Sequence, residues 1–164
     1  MEKIAFIGMG NMAQALTGGF IKAGKIEPKN IFAYAPNQQK LAQNAAKYGF
    51  IPCASLKEAV SKADTIFMAC KPYQIEDVIS EVGRDFANKT LISIALGWNF
   101  HAFEKIFSAY TEKPRIQFVM PNTPAMVAKE YSFLKRQIRS NQKNARKSGS
   151  FLKILAQSKN CQTI

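Results

Sequence analysis

The first residues able to do chemistry are glycines. Gly8-x-Gly10-x-x-Ala13 lies between the apolar run Lys3-Ile-Ala-Phe-Ile7 and a stretch with Ala15, Leu16, Phe20 and Ile21 at helical spacing. Small residues at these intervals, between a strand and a helix, suit the pyrophosphate of a dinucleotide. Gly8 permits the tight turn, Gly10 lets the backbone approach the phosphates, and Ala13 lets the helix pack close to the strand. The helix N-terminus then offers its unpaired N–H groups to the anion. The end of the next strand, Tyr34-Ala-Pro-Asn37, bears on which dinucleotide fits. An NAD site places Asp or Glu there for the ribose hydroxyls, and this chain has no acid there. Nothing repels a 2′-phosphate, and Asn37 can hydrogen-bond one. NADP(H) is the expected cofactor. NAD(H) remains the alternative, because no arginine clamp is visible.

Other reactive side chains carry less. Lys71 precedes Pro72 at the end of an apolar run and reads as a binding residue rather than an acid. His101, the sole histidine, falls at a helix start, where a solvated or capping role is expected. Cys53, Cys70 and Cys161 have unrelated spacings, which excludes a disulfide framework and gives no metal signature. Cys70 lies beside the Lys71-Pro72 turn but reads as a small buried hydrophobe. Met9, Met12, Met68, Met120 and Met126 read as core and loop packing. Trp98 follows Gly97 and reads as core packing at a position bordering the site. No catalytic acid or base is assigned.

Short apolar runs alternate with amphipathic stretches up to residue 120. Strands are expected at Lys3–Ile7, Asn30–Ala35, Thr65–Ala69, Thr90–Ile94 and Arg115–Met120. Helices are expected over Gln38–Tyr48 (ended by Gly49), Leu56–Ala63, Ile75–Val82 and Phe100–Phe107. This alternation calls for an α/β fold, a Rossmann-like doubly wound parallel sheet with helices on its faces. Two prolines within Pro121-Asn-Thr-Pro124 exclude a central strand or a helix interior. They mark a loop just past a strand end, at the sheet edge where ligands bind.

Four segments resemble one family in order and spacing: Phe6-Ile-Gly-Met-Gly-Asn-Met-Ala13, Ala69-Cys-Lys-Pro72, Ser93-Ile-Ala-Leu-Gly97 and Met120-Pro-Asn-Thr-Pro-Ala125. The family is pyrroline-5-carboxylate reductase, and the resemblance runs from residue 1 to about residue 127. It implies reduction of the cyclic imine 1-pyrroline-5-carboxylate to L-proline by hydride from NAD(P)H. It implies that Ile7, Gly8, Met9, Gly10, Asn11 and Met12 hold the pyrophosphate, and that Ala35, Pro36 and Asn37 flank the adenosine ribose. Ala69, Cys70, Lys71 and Pro72, with Ile94, Ala95 and Leu96, would line the nicotinamide half. Asn122 and Thr123 would sit near the nicotinamide and the imine. One departure is Leu56, where the family often has Asn; the lost polar contact near the adenosine predicts weaker cofactor affinity. The family's substrate-carboxylate site and homo-oligomer interface come from a helical C-terminal domain with a Ser-Pro and a glycine–threonine-rich stretch, which this chain lacks. It is expected to have little activity alone. The β-hydroxyacid dehydrogenases are an alternative within the same class.

The net charge of +12 is unevenly spread. Residues 1–128 hold 14 Lys+Arg and 10 Asp+Glu, net +4; residues 129–164 hold 9 Lys+Arg and the single acid Glu130, net +8. The chain thus divides into a dinucleotide-binding domain, 1–127, and a basic atypical tail, 128–164. Ala128-Lys-Glu130 replaces the family's Gly-x-Gly turn, Tyr131-Ser132 still fits, and from Lys135 the resemblance is gone. Ala145–Phe151 and Gln157–Ile164 can be back-translated so that a one-nucleotide slip yields an amphipathic helix and an alternating strand. The tail is therefore read as out-of-frame peptide after a shift near Lys135-Arg136. The rival class is a non-catalytic nucleotide-binding or interaction protein with a basic nucleic-acid-binding arm. Against it, Phe151 is the only aromatic after Phe133, which leaves little for base stacking. No apolar run reaches membrane-spanning length, and no signal-peptide layout precedes the first strand. A cytoplasmic protein is expected.

Overall fold

In a computed structural model of the chain the described residues are 2–119. Asn122, Thr123, the proline loop around them, the 127/128 boundary and the basic tail 128–164 lie outside the described residues.

Six strands form one parallel sheet: β1 (Ile4–Ile7), β2 (Ile31–Tyr34), β3 (Ile51–Pro52), β4 (Thr65–Met68), β5 (Thr90–Ser93) and β6 (Arg115–Phe118). Five helices alternate with them: α1 (Asn11–Lys22), α2 (Gln38–Tyr48), α3 (Leu56–Ser61), α4 (Ile75–Val82) and α5 (Phe100–Phe107). The strand order is β3-β2-β1-β4-β5-β6. This is the dinucleotide-binding order, reversing direction between β1 and β4. Right-handed crossovers put α1 and α2 on one face of the sheet. The reversal sends α3, α4 and α5 to the other.

The strands obey this two-sided burial. Ile4 and Phe6 of β1, Ile31 and Ala33 of β2, and Phe67 of β4 pack with Ala13, Leu16 and Phe20 of α1 and Leu41 of α2. Ala5, Ile7, Phe32, Ile66 and Met68 point the opposite way, onto Val60, Ile79, Phe103 and Phe107. Strands buried on both faces read as continuous apolar runs rather than as alternation, which is why four of the six are legible as short apolar blocks.

The helix limits follow local chemistry. Asn37 accepts a hydrogen bond from the Lys40 backbone N–H at 2.9 Å and caps α2, and Asn99 caps α5 by accepting from Ala102 N–H at 2.9 Å. Gly49 ends α2 in the left-handed conformation, φ 78°, as expected of a C-terminal glycine. Ser55 and Glu58 cap α3 together: Ser55 Oγ accepts from Glu58 N–H, and Glu58 Oε2 accepts from Ala54 N–H at 2.8 Å. Leu56, the departure from the family pattern, is buried in the first turn of α3 as part of the core. β3 has no counterpart in the sequence reading. It is two residues long and contains Pro52, tolerable because β3 is an edge strand.

Candidate functional site

Every described residue expected at the site lies at or just after the carboxyl end of a strand. Ile7 closes β1 and Gly8, Met9 and Gly10 lead into α1; Ala35, Pro36 and Asn37 follow β2. Ala69 to Pro72 follow β4, and Ile94 to Leu96 follow β5. One edge of the sheet therefore carries all four segments, with the β1/β4 reversal in the middle.

Backbone hydrogen bonds fix where three of the segments leave their strands. Gly8 N–H donates to Tyr34 O at 2.8 Å, Ala69 N–H to Ile7 O at 2.8 Å, and Ile94 N–H to Met68 O at 3.2 Å. The two glycines of the loop then differ in kind. Gly8 has φ 94°, and a Cβ there would stand 2.7 Å from the backbone C and O of Ala69 and N of Cys70. The fold itself demands glycine at that point. Gly10 has φ −74° and ψ −175°, which any residue adopts, and a Cβ there would meet nothing within 4 Å among the described residues. Ala13 is 1% exposed and packs into the core beneath the loop.

Gly10 is also the N-cap of α1. No side chain caps that terminus, and its first turn holds no acid. The first-turn N–H groups, with the positive end of the helix dipole, face the loop. Gln14 braces the loop from behind, its Nε2 donating to Met9 O at 3.2 Å. On the β2 side, residues 36–40 are exposed and no acid occurs between Glu27 and Glu58. Lys40 makes no ion pair among the described residues.

On the other side of β1, Lys71 is exposed and its ammonium lies 5.9 Å from the Tyr73 ring centroid. Cys70 is half-buried, its Sγ donating to Met68 Sδ at 3.6 Å, and burial pushes its thiol up to about 11. It stays protonated at neutral pH and is no nucleophile there. His101 is exposed in the first turn of α5, away from any role the geometry requires. Among the described residues Tyr73 and Leu96 are the large exposed hydrophobics, 73% and 71% exposed, one on the segment after β4 and one on that after β5. Trp98 links those two segments: its Nε1 donates to Pro72 O at 3.0 Å. Sequence reasoning did not find this bond. A lone tryptophan after a glycine at a strand end was its one signal.

Residues 3–97 match the model of a family described as NADP oxidoreductase, coenzyme F420-dependent. The chain belongs to this family. Among curated proteins, the pyrroline-5-carboxylate reductase of Treponema pallidum is 37% identical over 127 residues, 77% of this chain and 48% of the relative. Two solved structures are similar over 77% of this chain. The pyrroline carboxylate reductase of Plasmodium falciparum with NADP bound has TM-score 0.65 and 31% identity, with 44% of that protein covered. A pyrroline-5-carboxylate reductase of Coxiella burnetii has TM-score 0.67 and 32% identity, with 46% covered. The chain spans about half the length of the curated relatives it matches. The Rossmann-like fold and the likeness to pyrroline-5-carboxylate reductases, both expected from the motifs, therefore hold. Among the described residues, no helix is long and apolar enough to cross a membrane.

Proposed function

We propose that this chain is the nucleotide-binding part of a reductase that converts 1-pyrroline-5-carboxylate to L-proline with NADP(H). The observation that carries the reading is Gly10. Glycine costs conformational entropy in a folded chain, and at Gly10 neither the dihedral angles nor any described neighbour repays that cost. It stands on the sheet's carboxyl edge, before an uncapped helix N-terminus, where a ligand's phosphates need close approach to the backbone.

In this reading Ile7 to Met12 hold the pyrophosphate, with Ala35, Pro36 and Asn37 beside the adenosine ribose. Ala69 to Pro72 and Ile94 to Leu96 line the nicotinamide half, and Asn122 and Thr123 lie toward the imine. When bound, NADP(H) supplies the hydride; the protein's part is orientation and electrostatics. The segments after β1, β4 and β5 are tied to the sheet by the backbone hydrogen bonds of Gly8, Ala69 and Ile94, which suits holding two reactants in one geometry. The absence of an acid between Glu27 and Glu58 favours the 2′-phosphorylated cofactor over NAD(H).

Because the chain spans about half the length of its relatives, the test is binding rather than turnover. Calorimetric titration is expected to give saturable one-to-one binding of NADPH, tighter than NADH. A chain that is folded by circular dichroism and binds neither nucleotide overturns the proposal.

A further inference from the structure

We infer that Trp98 is a positioning residue that fixes the spacing of the two segments on the nicotinamide side of the site. This rests on the NADP(H) reading above. The segment after β4 is held at two points. At its start, Ala69 N–H donates to Ile7 O at 2.8 Å. At its end, Pro72 O accepts both the Ile75 backbone N–H and the Trp98 indole N–H at 3.0 Å. Between these points Ala69 and Cys70 pass so close to Gly8 that no Cβ fits there. The turn is thus confined between the glycine loop and the indole.

Trp98 can serve as a fixed post because its ring is itself anchored. It packs on Phe103, centroids 4.9 Å apart. Phe103 is fully buried and packs in turn on Phe118, centroids 5.6 Å apart. Trp98 also belongs to the segment after β5 that carries Leu96, so one side chain couples the two segments across 26 residues of sequence. Among the described residues the adenosine side has no comparable link to Trp98: Ala35 to Asn37 follow β2, on the other side of β1.

Two probes separate the halves of the site: NADPH, which spans it, and 2′,5′-ADP, which carries only the adenosine half. Trp98→Phe keeps a ring against Phe103 and removes the donor. It is expected to weaken NADPH about fivefold, the net worth of one hydrogen bond, and to leave 2′,5′-ADP within about twofold. In the native chain Trp98 is the only tryptophan. NADPH is expected to quench its emission by transfer to the reduced nicotinamide, and 2′,5′-ADP to leave it unchanged. An unaltered NADPH affinity in a folded Trp98→Phe chain overturns the inference, and so does equal loss of both probes. If the variant does not fold, the native emission decides: no quenching by bound NADPH, or equal quenching by both probes, overturns it. A native chain that binds no NADPH at all instead overturns the functional reading on which it rests.

Discussion

Alanine at Gly10 and alanine at Gly8 should separate the site from the fold. At Gly10 the dihedrals are open to any residue, and the added methyl touches no described atom. Restricting the unfolded chain gains about 0.4–1 kcal/mol. Alanine is a poorer N-cap than glycine, and losing a good cap costs about 0.5–2 kcal/mol, so the two effects roughly cancel. Stability should change by less than about 1 kcal/mol. The same methyl stands where the phosphates approach, and NADPH affinity should fall at least about tenfold, or 1.4 kcal/mol. At Gly8 the outcome reverses. The left-handed φ of 94° costs a side-chain-bearing residue about 1–3 kcal/mol. The methyl also meets backbone atoms of Ala69 and Cys70, in a stretch that the Ala69 N–H bond to Ile7 O ties to β1. Overpacking of that kind costs about 1–3 kcal/mol more. A total of about 2–6 kcal/mol is a large share of the roughly 5–15 kcal/mol that holds a domain folded. Urea denaturation followed by circular dichroism reads stability, and calorimetry reads binding. A Gly10→Ala chain that binds NADPH within twofold of native refutes the reasoning, as does a Gly8→Ala chain of native stability.

Two further outcomes follow from the electrostatics of the edge. Cys70, with its thiol raised from 9.0 to about 11 by burial, should alkylate with iodoacetamide at pH 8 about a hundredfold more slowly than an ordinary thiol. Its contribution to stability is present in full below the unfolded value and lost as pH rises through about 11. Peptide mapping of the native chain checks this, and rapid Cys70 labelling counts against it. Lys40→Glu places an anion beside the segment that should meet the 2′-phosphate. NADPH should weaken about tenfold while NADH changes less than twofold, since a contact to a charged group is worth about 1.5–3 kcal/mol. Equal loss of both nucleotides would place the 2′-phosphate elsewhere.

One helix end was legible: Gly49 stops α2 because only glycine takes the left-handed conformation freely. The caps Asn37, Ser55 and Asn99 emerge from the structure, where each side chain accepts a first-turn N–H. The doubly wound sheet followed from apolar blocks alternating with amphipathic ones. β3 escaped because two residues, one of them Pro52, carry no periodicity; pairing with β2 alone makes them a strand. The glycine loop was legible in position and in its division of labour, Gly8 for the turn and Gly10 for the phosphates. What sequence did not show is that Gly8 also admits the backbone of Ala69 and Cys70. The Trp98–Pro72 bond was not legible, because it depends on how two crossover segments meet and no spacing rule relates residues so far apart.

The contacts around Gly8 explain why the two halves of the site should respond separately. Its N–H donates to Tyr34 O at the end of β2, and its missing Cβ admits the backbone following β4. It is the described point where the adenosine-side and nicotinamide-side segments meet one residue, and it sits where the sheet order reverses. A change at Gly8 therefore reaches both halves. A change at Trp98 acts on a turn already held at its other end by Ala69 N–H, so its effect stops before the β2 side. Lys40 and Asn37 lie beyond that point in the opposite direction, on α2 and its cap. Lys40→Glu and Trp98→Phe should therefore be additive in NADPH affinity, as independent sites are. Paired with Gly8→Ala, neither should be: that change already moves the backbone that both halves share.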